Sequence, residues 1–224
     1  MGDTEFVRER EWQIAQSVMM WVDQGASMRF ASSDAVPQKI DRARALALAV
    51  AILLNRGGER VGLTGTALPP RAGRPQIMAM AQMFCRDDVA DYAPPEHRGM
   101  IPHARAVFIS DFMGDIGGVR TALTKAADRG VRGVLCHVLD PSEEAFPFTG
   151  RTIFQSMGGT LSHETLKASD LRDRYLARLA ERKAELQSLC ALTGWRYGIH
   201  HTDSTAQAGL LWLYGALDAK AVAA

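Results

Sequence analysis

Hydrophobic and polar positions along this chain fall into repeated blocks: an apolar run, a small polar turn, then a stretch with apolar residues three or four apart. The clearest run is Val18-Met19-Met20-Trp21-Val22, stopped by Asp23-Gln24-Gly25. An apolar run ended by an acid and a glycine predicts a strand covered on both faces. The strand is expected over Glu11 to Val22, alternating at its start through Trp12 and Ile14. Asp23 then falls where the strand ends, and in an open α/β sheet that carboxyl edge is where ligands bind.

The blocks continue downstream. Lys39 to Arg56 predicts a helix, charged in its first turns, nearly all apolar later, and stopped at Gly57-Gly58. Glu59 to Thr66 predicts a short strand, and Ala67 to Gly73, with Pro69-Pro70, fits only an edge strand or a loop. Pro75 to Phe84 has helical spacing, whereas Asp87 to His103 is rich in proline and charge and predicts a mobile segment. Ala104 to Asp111 is a second central strand that ends in an aspartate, and Asp115 is placed to cap the helix ending at Gly130. Val131 to Leu139 predicts a strand, Arg151 to Leu161 a hairpin turning at Gly158-Gly159, and Ser169 or Asp170 caps a long helix ended at Gly194. Trp195 to His201 and Gln207 to Val222 complete the chain as strand and helix. Strands separated by helices imply an α/β fold with a parallel, doubly wound sheet, and residues 1–224 are expected to form a single domain.

Composition narrows the function. Lys plus Arg total 26 and Asp plus Glu 25, for a net charge of +1, which argues for neither nucleic acid nor an anionic membrane as partner. No apolar run approaches the roughly 18 residues of a spanning helix, and the charged N-terminus lacks a signal peptide's apolar region. Cys85, Cys136 and Cys190 are far apart, as expected of reduced, buried thiols in a cytoplasmic protein. His200 and His201 are adjacent, so in a strand they point to opposite faces and do not share a metal.

Phosphate-loop chemistry fails, because Gly57-Gly58 precedes a strand and no Gly-Lys-Ser/Thr occurs. Gly25-Ala26-Ser27 follows a strand as a nucleophile elbow would, but Met28-Arg29 replaces the closing glycine. The strand-end acids carry more chemistry. Asp23 and Asp111, ending adjacent strands, would with Ser27 form a hard oxygen set suited to Mg²⁺ or Mn²⁺. The competing reading is that these aspartates only cap turns.

Asp23-Gln24-Gly25-Ala26-Ser27-Met28 resembles the Asp-x-Ser-x-Ser-Met motif of von Willebrand factor type A domains. More closely, the chain resembles the domain of unknown function 58 family, a type-A-like group. The segments that carry this are Arg8 to Glu11, Lys39 with its Ala-rich helix, Glu59 to Leu63, Ile109 to Phe112, His137 to Glu143, Phe146 to Gly150, Leu171-Arg172 with Tyr175, and Thr202-Asp203. The resemblance implies a six-stranded, mostly parallel Rossmann-like sheet with one antiparallel edge strand and helices on both faces. It also implies a metal-ion-dependent adhesion site at the carboxyl edge and a partnership with MoxR-type AAA+ ATPases as an adaptor.

This chain departs from that pattern in three ways. Gly25 replaces a serine ligand, Asp87 to His103 contains no Ser or Thr to supply the usual threonine, and the family's N-terminal region ahead of Arg8 is absent. The expectation is therefore a non-enzymatic protein-binding module with a degenerate site of Asp23, Ser27 and Asp111. That site should bind Mg²⁺ or Mn²⁺ weakly or not at all, with Arg29 or Lys39 as the cation that replaces the metal. Partner contacts, to a MoxR-type ATPase or its client, are expected from the loops around Gly25, Asp87 to His103, and Phe112 to Gly117, including Asp115. The alternative is a metal-assisted hydrolase using Asp23 and Asp111, for which no base is evident.

Overall fold

The computed structural model describes residues 15–86, 91–149, 152–155, 162–165 and 169–218. Its strands are β1 (Ser17–Val22), β2 (Arg60–Leu63), β3 (Arg105–Ser110), β4 (Arg132–Leu139), β5 (Thr152–Gln155), β6 (Ser162–Thr165) and β7 (Arg196–His201). Its helices are α1 (Lys39–Arg56), α2 (Arg74–Phe84), α3 (Ile116–Ala127), α4 (Pro141–Ala145), α5 (Ser169–Thr193) and α6 (Ala206–Asp218), with a short 3₁₀ turn at Ala26–Arg29. Expected positions Glu11 to Ile14, the Gly158-Gly159 turn and the end of the closing helix lie outside the described residues.

Five strands form one parallel sheet in the order β2-β1-β3-β4-β7. Because side chains alternate along a strand, each central strand feeds two cores. Met20, Val107 and Val134 pack with Leu46 and Val50 of α1 and Leu213 of α6. Trp21, Phe108 and Leu135 pack on the other face with Leu123 of α3 and Leu186 of α5. That is the doubly wound arrangement the apolar runs imply. Helix α1 keeps its predicted bounds because Ile40, Ala43, Leu46, Ala47, Val50 and Leu54 make one buried stripe. Gly58, at φ 88°, supplies the left-handed turn that ends it. Asp115 caps α3 through the Gly117 amide at 3.1 Å, and Asp140 with Glu143 closes a capping box on α4.

Three expectations need correction. Among the described residues the sheet has five strands, not six, and the antiparallel edge strand shrinks to one bridge between Val61 and Arg71. Pro69 and Pro70 have no amide hydrogen to extend it. Gly62 lets them pack close, since a Cβ there would lie 2.8 Å from the Pro70 nitrogen. The β5–β6 hairpin pairs antiparallel, Gln155 opposite Ser162, and stands as its own two-stranded sheet. Cys85 is exposed, while Cys136 and Cys190 are buried as expected. No helix among the described residues is long and apolar enough to cross a membrane.

Candidate functional site

The strand order reverses between β1 and β3, which lie side by side and parallel. Asp23 and Asp111 follow their last residues, so both carboxylates sit at the same edge, at the topological switch point. The ladder continues one step further through the Asp23 amide to the Ile109 carbonyl at 2.9 Å. This much was legible in the apolar runs.

What fills the space between the strand ends was less so. Lys39, the first residue of α1, is 2 % exposed, and its Nζ lies 2.8 Å from Asp111 Oδ2 and 2.7 Å from Glu143 Oε1. Glu143 is fixed in turn by accepting the Asp140 amide at 2.8 Å through its other oxygen. Asp140 accepts from the Ser142 amide and hydroxyl and from the Ser32 amide, which ties the loop before α1 to α4. Asp23 is served separately. Its Oδ1 accepts the Gly25 amide at 2.7 Å and its Oδ2 the Ser110 hydroxyl at 2.7 Å.

Two of the three carboxylates, Asp111 and Glu143, therefore share one ammonium, and Asp23 has none. Burial alone would raise the Asp111 pKa, but the charge and hydrogen bond of Lys39, with the Met113 amide, hold it below the carboxylate range. Burial works against the Lys39 charge, yet Asp111 and Glu143 together keep its pKa above the usual lysine value. For Glu143 burial wins, and its pKa stays raised despite Lys39. Asp23 is pushed up to about 6, first by burial and then by the charge on Asp111, because the bonds from Ser110 and Gly25 offset only part of that cost.

The segment from Asp91 to Glu96 closes over this cluster. The Ser27 amide donates to the Asp91 carbonyl at 3.0 Å. A Cβ on Gly25 would meet that carbonyl at 2.8 Å and Asp23 Oδ1 at 2.9 Å, and one on Gly114 would meet Tyr92 Cβ at 2.8 Å. These glycines are where a backbone or ring must approach closely. The glycine in the motif thus does more than delete a hydroxyl: the loop occupies the place its side chain would take. Between this segment and the β3–α3 loop lies a cavity of about 180 Å³ lined by Asp23, Tyr92, Pro94, Ser110, Phe112 and Asp115.

The remaining predicted residues fall as follows. Among the described residues Ser27 Oγ is buried without a hydrogen-bond partner, although it lies near enough to Asp111 to favour its ionised form. Phe112 adopts a left-handed conformation at φ 47°, unusual for a bulky residue. Its amide donates to Ser110 Oγ, and its carbonyl accepts from Arg182 of α5, which also reaches the Gly114 carbonyl at 2.9 Å. Asp115 caps α3 and borders the cavity without joining the ion cluster. Of the two cations considered, Lys39 is the one brought to Asp111. The Thr64 and Thr66 hydroxyls turn to the Met20 and Leu63 carbonyls. His200 is buried and His201 bonds Glu144, consistent with opposite faces. Buried His137, which bonds the Tyr197 hydroxyl at 2.8 Å, is pushed down to about 3 by burial and is neutral.

These residues do not fit a divalent metal. Asp111 is taken by the lysine and the Met113 amide, both Asp23 oxygens already accept a hydrogen bond, and Gly25 supplies no oxygen. Mg²⁺ demands a nearly octahedral oxygen set, and no group of three acidic, histidine or cysteine ligands among the described residues has metal-holding geometry. Sequence reasoning did not assign site roles to Glu143, Ser110 and Arg182, and it reached Tyr92 only as part of the partner-contact loop Asp87 to His103. Asp140-Pro141-Ser142-Glu143 was readable as a capping box, and Ser110 directly precedes the strand-end acid, but nothing local marked Tyr92 or Arg182.

The molecule is thus an α/β protein with a polar, lysine-neutralised cluster at the switch point of its sheet. Residues 2–185 match the family described as protein of unknown function DUF58, and the chain belongs to that family. Among solved structures it is similar to an aerotolerance-related membrane protein from Bacteroides fragilis NCTC 9343, with multiple mutations to serines. That match has 14% identity and a TM-score of 0.50 over 91% of this chain and 99% of that one, and it supports the fold alone. A conserved hypothetical protein BatB from Bacteroides thetaiotaomicron matches at 14% identity and a TM-score of 0.47, over 88% of this chain and 95% of that one. No curated protein matches.

Proposed function

We propose that this chain is a non-enzymatic protein-binding module of von Willebrand factor A-like type, in which an internal ammonium stands where an adhesion-site metal would. The observation that carries this reading is Lys39, buried and held by both Asp111 and Glu143. The cluster needs no metal to neutralise Asp111, so recognition falls to the loops above it. Exposed Tyr92, Phe112 in its left-handed turn and the cavity between them give those loops a shape that rigid strands hold in place. On the family resemblance the partner is a MoxR-type AAA+ ATPase or its client, met in the cytoplasm. The hydrolase alternative draws on Asp23, whose raised pKa would suit a general base, but Asp111, the second acid of that reading, is taken by Lys39.

Titration calorimetry of the chain against a purified MoxR-type ATPase tests the proposal. Binding is expected to survive chelator and to be lost in Tyr92→Ala, whose ring is exposed. Binding abolished by chelator would refute the metal-free site, and Mn²⁺-dependent turnover of p-nitrophenyl phosphate lost in Asp23→Asn would establish the hydrolase instead.

A further inference from the structure

The opposite edge of the sheet carries a feature that the binding-module reading leaves unused. Arg105, Arg132 and Arg196 open three adjacent parallel strands, β3, β4 and β7. Arg105 and Arg132 are direct partners in the ladder, and Arg196 pairs with Val134, two residues along β4. Residues two apart share a face, so all three side chains leave on the side of Val107 and Val134, which α1 and α6 cover. Between them lies a cavity of about 50 Å³, bordered by Ala216 and Leu217 near the end of α6. A second cavity of about 360 Å³ shares Arg105 and Arg132 and adds Gln16 and His103.

None of the three guanidinium groups forms an ion pair or hydrogen bond among the described residues. Like charges directly opposite in a sheet repel and destabilise it. Guarding a sheet edge accounts at most for Arg196, on the edge strand β7; Arg105 and Arg132 open β3 and β4, which lie inside the sheet. The chain's net charge is only +1, so this positive edge is local and lies across the sheet from the three carboxylates. Guanidinium forks match phosphate oxygens in bidentate geometry.

We propose that Arg105, Arg132 and Arg196 form an anion site at the amino edge of the sheet, for a phosphate or diphosphate group presented by a free ligand or by a lipid headgroup. Inorganic pyrophosphate titrated into the full chain at low ionic strength, followed by calorimetry, tests the first source. Co-sedimentation with phosphatidylglycerol vesicles, against phosphatidylcholine vesicles, tests the second. Binding in either arm that weakens about tenfold or more in Arg132→Gln and in Arg105→Gln supports the site. Arg98→Gln, which alters an arginine already paired with Glu96, should leave that binding unchanged. The substituted arginines make no bonds among the described residues, so urea midpoints should hold, and Arg196→Gln serves as the second variant should either fail to fold. Absence of binding in both arms, or binding indifferent to all three substitutions, overturns the proposal.

Discussion

Replacing Lys39 with methionine tests the central cluster most directly. The substitution keeps an unbranched side chain of similar length and removes the ammonium that bonds both Asp111 and Glu143. Both acids stay buried, and breaking a buried pair by removing one partner costs about 3–5 kcal/mol. For a chain of this size each kcal/mol moves the melting temperature by about 2–4 °C, so the variant should melt roughly 6–20 °C lower. Urea and thermal unfolding at neutral pH measure both quantities. The deficit should shrink as pH falls, because the stranded acids of the variant take up protons, and should close only once pH drops below the lowered Asp111 pKa of the parent. Adding Asp111→Asn and Glu143→Gln should recover most of the loss, because a neutral cluster no longer carries stranded charge. Millimolar Mg²⁺ should raise the midpoint of Lys39→Met and leave the parent chain unmoved. A cost under about 1 kcal/mol, in the range of an exposed pair, or a parent chain that gains as much from Mg²⁺ as the variant, would refute the reasoning.

Two other substitutions probe the same edge. Asp23→Asn should stabilise the fold near neutral pH: a rise from 3.8 to about 6 corresponds to about 3 kcal/mol. Because the folded pKa is the higher one, the native state holds the Asp23 proton more tightly, and the advantage of asparagine should vanish below about pH 4; urea midpoints across that range that show no gain at neutral pH would contradict it. Gly25→Ser restores the motif's hydroxyl but pushes a Cβ to 2.8 Å from the Asp91 carbonyl. It should cost about 1–3 kcal/mol without producing Mg²⁺ binding by calorimetry.

The parts of this molecule set by period and punctuation could be read from the chain. Helix α1 follows from its apolar stripe and Gly57-Gly58, and the adjacency of Asp23 and Asp111 follows from two apolar runs each ended by an acid. The parts set by tertiary approach could not. That Tyr92 lies against Gly114, and that the Asp91 carbonyl takes the space beside Gly25, depend on how a proline-rich loop packs, and no local periodicity encodes that. The lost edge strand belongs to the same class: Pro69-Pro70 admitted strand or loop, and only the register against Val61 decides. Lys39 was visible as a charge near the start of a helix, but its partners lie 72 and 104 residues away.

Those separations bear on how the protein is made. During synthesis Lys39 leaves the ribosome long before Asp111 and Glu143 do, and chains fold largely as units once their partners have emerged. Contacts closing loops this long carry their entropy cost before any gain. The β1–β3 ladder, which sets Val18 opposite Arg105, closes a loop longer than the one between Lys39 and Asp111. Ladder and lysine lock therefore wait on the same late-made segments of the chain.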